Sequence, residues 1–125
     1  MILNLTDLSE EPLQGQIYRQ IRALILASDL DAGTMLPSIR GLAREQKVSV
    51  ITVQRGYEML ESDGLIISRR GKGFFVTDVK NSTKKDLAEQ HLSEKLIPIL
   101  KIARDEGMSE EEIKKVINKL LTEEN

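Results

Sequence analysis

Apolar residues recur at three- and four-residue spacing through most of this chain, and each run is bounded by turn or capping residues. Leu13, Ile17, Ile21, Leu24 and Ile25 predict an amphipathic helix from Pro12 to about Ser28, with proline suited to the first turn. Asp29 to Thr34, containing Gly33, reads as a loop, and Leu36 is extended because it precedes Pro37. Ser38 then caps a short helix with Ile39, Leu42 and Ala43 inward, ending near Gln46-Lys47. Val48 plugs a tight turn, and Ser49 caps a second helix whose inner face is Val53, Tyr57 and Leu60 and which stops around Asp63-Gly64. Leu65-Ile66-Ile67 and Phe74-Phe75-Val76 are strand-like runs joined by a basic, glycine-containing tip, a β-hairpin. Ahead of all this, Met1 to Leu8 alternates apolar and polar like a short extended arm.

The pattern changes after Val79. Asn81-Ser82-Thr83 reads as a polar linker ending in a helix cap. A helix follows from about Lys84 to Glu106, with Leu92, Leu96, Ile99, Leu100 and Ala103 on one side. Pro98 falls inside it and is expected to kink it or leave one hydrogen bond unmade, and Gly107 ends it. Ser109 with Glu112 forms a capping box, followed by a stripe of Ile113, Val116, Ile117, Leu120 and Leu121. The expected architecture is mainly α with a small β-hairpin: a winged helix-turn-helix over residues 1–78 and a two-helix hairpin over 79–125.

Composition narrows the chemistry. The 125 residues include no cysteine, which removes disulfides and thiolate sites and suits a reducing cytoplasm. No apolar run approaches the roughly 20 residues a bilayer requires, and the start lacks the basic flank of a signal peptide. The net charge of −2 gives no hint of nucleic acid, but its distribution does. Between Ser38 and Lys72 lie seven cations (Arg40, Arg44, Lys47, Arg55, Arg69, Arg70 and Lys72) against four anions, a local +3. Phosphate contact needs a basic face rather than a basic protein.

A helix-turn-helix followed by a basic hairpin can set one helix in a DNA groove and a loop on the neighbouring backbone. The helix after Ser49 presents Val50, Ile51, Gln54, Arg55 and Glu58 outward. Ser49 and Thr52 suit phosphate or a base, Val50 and Ile51 a thymine methyl, Gln54 adenine, and Arg55 guanine or phosphate. Ser38 and Arg40 stand at the start of the preceding helix, where Arg40 can hold a phosphate. Arg69, Arg70, Gly71 and Lys72 form the hairpin tip, open to backbone or minor groove.

These segments carry a resemblance. Leu-Pro-Ser-Ile-Arg-Gly-Leu-Ala, Val-Ser-x-x-Thr-Val-x-Arg-x-Tyr-x-x-Leu-x-x-x-Gly-Leu-Ile and Arg-Gly-Lys-Gly-x-Phe-Val occur in order and at matching spacing. Over about residues 10 to 78 the chain resembles the N-terminal winged-helix domain of the GntR family of bacterial transcription regulators. The short helical tail is similar to the YtrA subfamily, whose members lack a large effector domain and dimerise through two helices. The resemblance implies DNA contact by Arg40, the Ser49–Thr52 turn, Gln54, Arg55 and the Arg70-Gly71 wing. It also implies dimerisation through Leu96, Ile99, Leu100, Ala103, Ile113, Val116, Ile117, Leu120 and Leu121. Two departures stand out. Val50 replaces a residue that is often Arg, Pro or Asn, so operator identity does not transfer. Gly56 replaces the usual Ala, and at about 1 kcal/mol of helix propensity it predicts a recognition helix that is looser when free.

Enzyme readings find little support. His91 is the single histidine and sits in the tail, and the Glu110–Glu112 cluster is explained by the capping box. The expectation is a homodimeric regulator, more often a repressor, bound to a two-fold double-stranded operator. No cofactor, metal or membrane partner is expected, and nothing locates an effector. The competing reading is a winged-helix protein–protein module that does not read DNA.

Overall fold

The computed structural model describes residues 1–123. Among them the order is α1 (Leu13–Leu26), α2 (Ile39–Gln46), α3 (Val50–Ser62), β1 (Ile66–Arg69), β2 (Gly73–Val76), α4 (Asn81–Asp105) and α5 (Glu110–Glu123). The chain divides into two compact units, Met1–Lys85 and the part that begins at Asp86.

The first unit is built on the apolar spacing read from the sequence. Ile17, Ile21 and Ile25 of α1, Leu42 and Ala43 of α2, and Val53, Tyr57 and Leu60 of α3 are all buried, joined by Leu36, Leu65, Ile66 and Val76. Helix α1 begins one residue later than expected, since Pro12 is its N-cap in extended conformation. The strands pair antiparallel with Ile66 opposite Val76 and Arg69 opposite Gly73. The end of the expected loop and the extended residue before Pro37 contribute a third line of pairing. Met35 bridges Phe75, Leu36 N–H donates to the Phe74 carbonyl at 2.9 Å, and Val76 N–H donates to Thr34 at 2.9 Å. The residue before Pro37 is held extended, and that shape lets it run along β2 and tie the wing to the body.

Gly56 has a packing role that its helix propensity does not suggest. It is buried, and a Cβ built there would lie 2.9 Å from Ile17 Cγ2 and 3.2 Å from the Gln14 carbonyl oxygen. Helices α1 and α3 approach too closely for any side chain, so the glycine stands where the packing needs it.

The N-terminal arm is fastened by two glutamines of α1. Gln16 Oε1 accepts from Thr6 N–H at 3.0 Å and its Nε2 donates back to the Thr6 carbonyl at 2.9 Å. Gln20 does the same for Asn4, at 2.8 Å in both directions. Two residues of extended chain rise about 6.6 Å, and four residues of helix rise about 6 Å. The two amides therefore meet alternate arm residues in register and act as a surrogate strand. Gln16 is buried but satisfied, with a further bond to the Glu11 carbonyl at 2.8 Å, and Leu3 is buried beside the arm's anchored residues.

The second unit is helical. Asn81–Thr83, expected as a linker, belong to α4: Lys84 N–H bonds the Lys80 carbonyl at 3.0 Å, so the helix starts earlier. No proline or glycine in that stretch blocks it. Pro98 lies inside α4 without ending it, and its missing N–H leaves the Glu94 carbonyl without a helical donor. After Asp105 the chain turns through bonds from Gly107 to Arg104 and Met108 to Ala103, the paired pattern of a Schellman cap. Ser109 and Glu112 form the reciprocal capping box, Ser109 N–H to Oε1 at 2.9 Å and Glu112 N–H to Oγ at 3.2 Å. That bond from the Ser109 backbone, then the Ser109 side chain, hold the Glu112 carboxyl below its usual range. In α5 only Ile113 is buried, and in α4 no residue is.

Candidate nucleic-acid interface

The turn between α2 and α3 is fixed from both sides. Ser38 Oγ accepts from Gly41 N–H at 3.0 Å to start α2. Lys47 takes a left-handed conformation at φ 57°, and Val48 N–H reaches back to the Ala43 carbonyl at 3.0 Å. Ser49 Oγ accepts from Thr52 N–H at 3.1 Å and lies 2.8 Å from Thr52 Oγ1. Both serines expected as contact residues are thus occupied as caps. Their hydroxyls hold helix starts, and the backbone of the first turn is what they leave exposed.

Tyr57 fixes the rest of α3. Its hydroxyl donates to the Pro37 carbonyl at 2.8 Å, and its ring meets Phe74 of β2 edge-on at 5.1 Å. Burial raises its hydroxyl pKa well above normal, with the Glu45 charge adding to the effect. One side chain thereby ties α3 to the strand-like segment before α2 and to the hairpin. At the far end, Tyr18 of α1 donates to the carboxylate of Asp63, the C-cap of α3. Burial, then the Asp63 hydrogen bond and charge, push Tyr18 up to about 12.

With Val53, Tyr57 and Leu60 inward, α3 turns Val50, Ile51, Gln54, Arg55 and Glu58 outward. Val50 is 44% exposed and Ile51 55%, both on the first turn. Gln54 Nε2 donates to Glu58 Oε1 at 3.1 Å. Arg40 is exposed on the first turn of α2. In the hairpin, Lys72 N–H closes the tip onto the Arg69 carbonyl at 2.9 Å, with Gly71 at φ 75°, a conformation that disfavours any residue with a Cβ. Arg69 is distinct from its neighbours: its guanidinium lies over the Phe75 ring, 5.6 Å from the centroid. Arg70 and Lys72 project from the tip and are exposed.

The segment from Ser38 to Lys72 treats its two signs of charge differently. All seven cations between Ser38 and Lys72 are exposed, and none forms an ion pair among the described residues. Three of the four anions in the same stretch are engaged by neutral donors instead. Glu58 accepts from Gln54, Glu61 accepts from Ser68 N–H at 3.2 Å, and Asp63 accepts from Tyr18. The segment keeps its cations available while three of its four carboxylates are used for local structure.

Sequence reasoning placed the outward residues of α3 and the hairpin tip but did not identify Gln16, Gln20, Tyr18 or Glu61 as supports. For the glutamines a signal existed: their four-residue spacing beneath an alternating arm. Among the described residues no cluster of three metal-ligating side chains occurs. Glu110, from the acidic cluster, pairs with Lys114 at 3.2 Å, as ordinary helix spacing allows.

The chain is similar to regulators over most of its length. The model of the "Bacterial regulatory proteins, gntR family" matches residues 13–76, from the start of α1 to the end of β2. YhcF of Bacillus subtilis, an uncharacterized HTH-type transcriptional regulator, is 33% identical over 105 residues, covering 84% of this chain and 86% of that protein. The transcriptional repressor YtrA of the same organism is 28% identical over 112 residues, 90% of this chain and 86% of YtrA, a length that includes much of the tail. Among solved structures, a transcriptional regulator from Oenococcus oeni superposes with a TM-score of 0.74 at 27% identity, over 96% of this chain and 99% of that one. With its helix-turn-helix and wing filling the matched residues, the chain belongs to the GntR family of transcriptional regulators.

Proposed function

We propose that the protein is a homodimeric repressor that binds a palindromic operator, with α3 of each copy in a major groove and each wing on the adjacent backbone or minor groove. The observation that carries this reading is the set of seven exposed cations without ion pairs on one segment, whose neighbouring carboxylates are spent on neutral donors. Such a face attracts phosphate without first having to break internal salt bridges. Val50 and Ile51 offer apolar contact to thymine methyls, Gln54 and Arg55 offer polar contact to base edges, and Arg40, Arg70 and Lys72 reach backbone. Arg69, lying on Phe75, stiffens the wing and keeps its charge near the tip. Ser38 and Ser49 act through the backbone N–H groups they orient.

Dimerisation follows from the tail. Ile99, Val116, Leu120 and Leu121 are exposed, Leu96, Leu100, Ala103 and Ile117 are half-buried, and only Ile113 of the expected interface is covered. A second copy offers the matching apolar surface by two-fold symmetry. Two linked winged units also gain effective concentration on adjacent half-sites. YtrA of Bacillus subtilis is a transcriptional repressor, and its similarity to this chain runs into the tail. A chromosomal operator sets the protein in the cytoplasm, and no helix among the described residues is long and apolar enough to cross a membrane.

The test is a gel-shift titration on the DNA upstream of its own gene at several salt concentrations. Affinity is expected to fall steeply with salt, and Arg70→Ala with Lys72→Ala to flatten the slope by about 0.9 for each lost phosphate contact. Arg55→Ala is expected to weaken specific binding by about 1–3 kcal/mol. Weak, salt-insensitive binding with no sequence preference would point instead to a protein–protein module.

A further inference from the structure

The geometry points to Glu58 as the residue that sets which base Gln54 accepts: by holding the Gln54 amide in one orientation, it selects adenine and rejects guanine. This rests on the reading of α3 as the helix that enters the groove.

Gln54 and Glu58 stand one turn apart, the spacing at which side chains on a helix meet. Gln54 Nε2 lies 3.1 Å from Glu58 Oε1. An ionised carboxylate only accepts hydrogen bonds, so the amide must turn its NH₂ group toward Glu58 and its carbonyl oxygen away. An unheld glutamine amide flips freely and can present either end to a base. Held this way, Gln54 offers outward an acceptor, Oε1, together with the second hydrogen of Nε2. That pair matches the adenine edge, where N6 donates and N7 accepts. Guanine presents two acceptors in the same place, O6 and N7, and would leave Oε1 facing a lone pair. The Glu58 charge adds to the discrimination, because a carboxylate at the groove repels guanine's acceptors and favours an exocyclic amine.

Glu58 is available for this work. Arg55, its exposed neighbour on the helix, forms no ion pair with it, and among the described residues no other hydrogen bond competes for its oxygens. The two residues also lie at the middle of α3, beyond the capped first turn, where the helix backbone is satisfied internally. Glu58 acts as a positioning residue. It orients the side chain that reads the base.

The experiment is site selection from a randomised duplex library with the full-length chain, read by sequencing, for the wild type and for Gln54→Ala, Glu58→Ala and Glu58→Gln. Gln54→Ala identifies the base pair in question as the one whose preference it flattens. At that pair the wild type is expected to favour adenine over guanine by about tenfold, the scale of one good bidentate contact. Glu58→Ala is expected to reduce the ratio to about twofold while other positions keep theirs. Glu58→Gln can donate as well as accept and carries no charge, so it no longer fixes the Gln54 amide and is expected to lower the ratio toward the Glu58→Ala value. A base preference unmoved by Glu58→Ala, or one that Glu58→Gln preserves in full, overturns the proposal while leaving the groove assignment of α3 intact. A wild type that selects no sequence overturns the groove assignment and this proposal together.

Discussion

The two units use their apolar residues in opposite ways. In Met1–Lys85 the isoleucines of α1, the inner face of α3 and one end of the hairpin close on one another, and the one buried polar side chain, Gln16, is fully hydrogen-bonded. From Asp86 onward the helices are as well specified locally, with a Schellman turn, a capping box and an i,i+4 ion pair, yet they bury almost nothing. Leu120 is 52% exposed and Leu121 62%. Good caps make a helix possible, but most of its stability comes from packing of an apolar face. The tail has its helices settled and its packing unfinished, while the winged unit has both.

The largest expected effect breaks the winged unit alone. Tyr57→Ala removes the ring that joins α3, the segment before α2 and β2, and should cost about 3–5 kcal/mol, the range for truncating a large buried aromatic. Both tyrosines of the chain, Tyr18 and Tyr57, lie in this unit, so near-UV circular dichroism during urea unfolding of the Phe-substituted and Ala-substituted variants reports it without interference from the tail. A loss below 1 kcal/mol would mean Tyr57 is not the keystone described.

The opposite change comes next. Leu120→Glu alters a side chain already exposed in the single chain, so the near-UV signal should be unchanged. Operator affinity should fall by about a hundredfold or more, as expected when two half-site contacts are no longer linked. A variant that binds operator as tightly as wild type would remove the tail from DNA recognition.

How far these contrasts were visible beforehand depends on distance along the chain. Caps at Ser38, Ser49 and Ser109, the inward face of α3 and the break at Gly64 are local, and sequence pattern placed them. The pairing of Met35 with Phe75 and the fit of Gly56 against Ile17 are contacts between distant segments, which periodicity does not encode. Gly56 shows the cost of local reasoning: its propensity penalty was read as a weakness, when its missing Cβ is what lets two helices meet. Four-residue spacing predicts the Gln54–Glu58 bond, although the apolar pattern alone presents Glu58 only as part of an outward face.

Gly56→Ala sharpens that point with a smaller effect. The substitution gains about 1 kcal/mol of helix propensity, but overpacking against Ile17 and the Gln14 carbonyl costs about 1–3 kcal/mol. The net should be a modest destabilisation, and the cost of Gly56→Ala should shrink when it is measured in an Ile17→Ala background, a favourable coupling in the double-mutant cycle. Stabilisation by Gly56→Ala alone would show that α1 and α3 can move apart freely.

The smallest expected effects separate the units by pH. Glu112 is depressed in the folded state, so its cap contributes stability above the usual carboxylate range and loses it as pH falls through its folded value. Far-UV helicity should drop slightly on acidification, and Glu112→Gln should abolish that component. Tyr18 is raised, so its contribution is complete below its usual value near 10 and is lost as pH rises toward about 12. Alkaline titration should therefore loosen the winged unit first, followed by the near-UV signal, and Tyr18→Phe should remove the early part of that loss.

The central claim is that the tail's uncovered face is where two copies meet. Sedimentation equilibrium at micromolar concentration tests it most directly, on the full chain and on a chain ending at Lys85. A dimer is expected for the first and a folded monomer for the second. A monomeric full chain, or a shortened chain that remains dimeric, would contradict it.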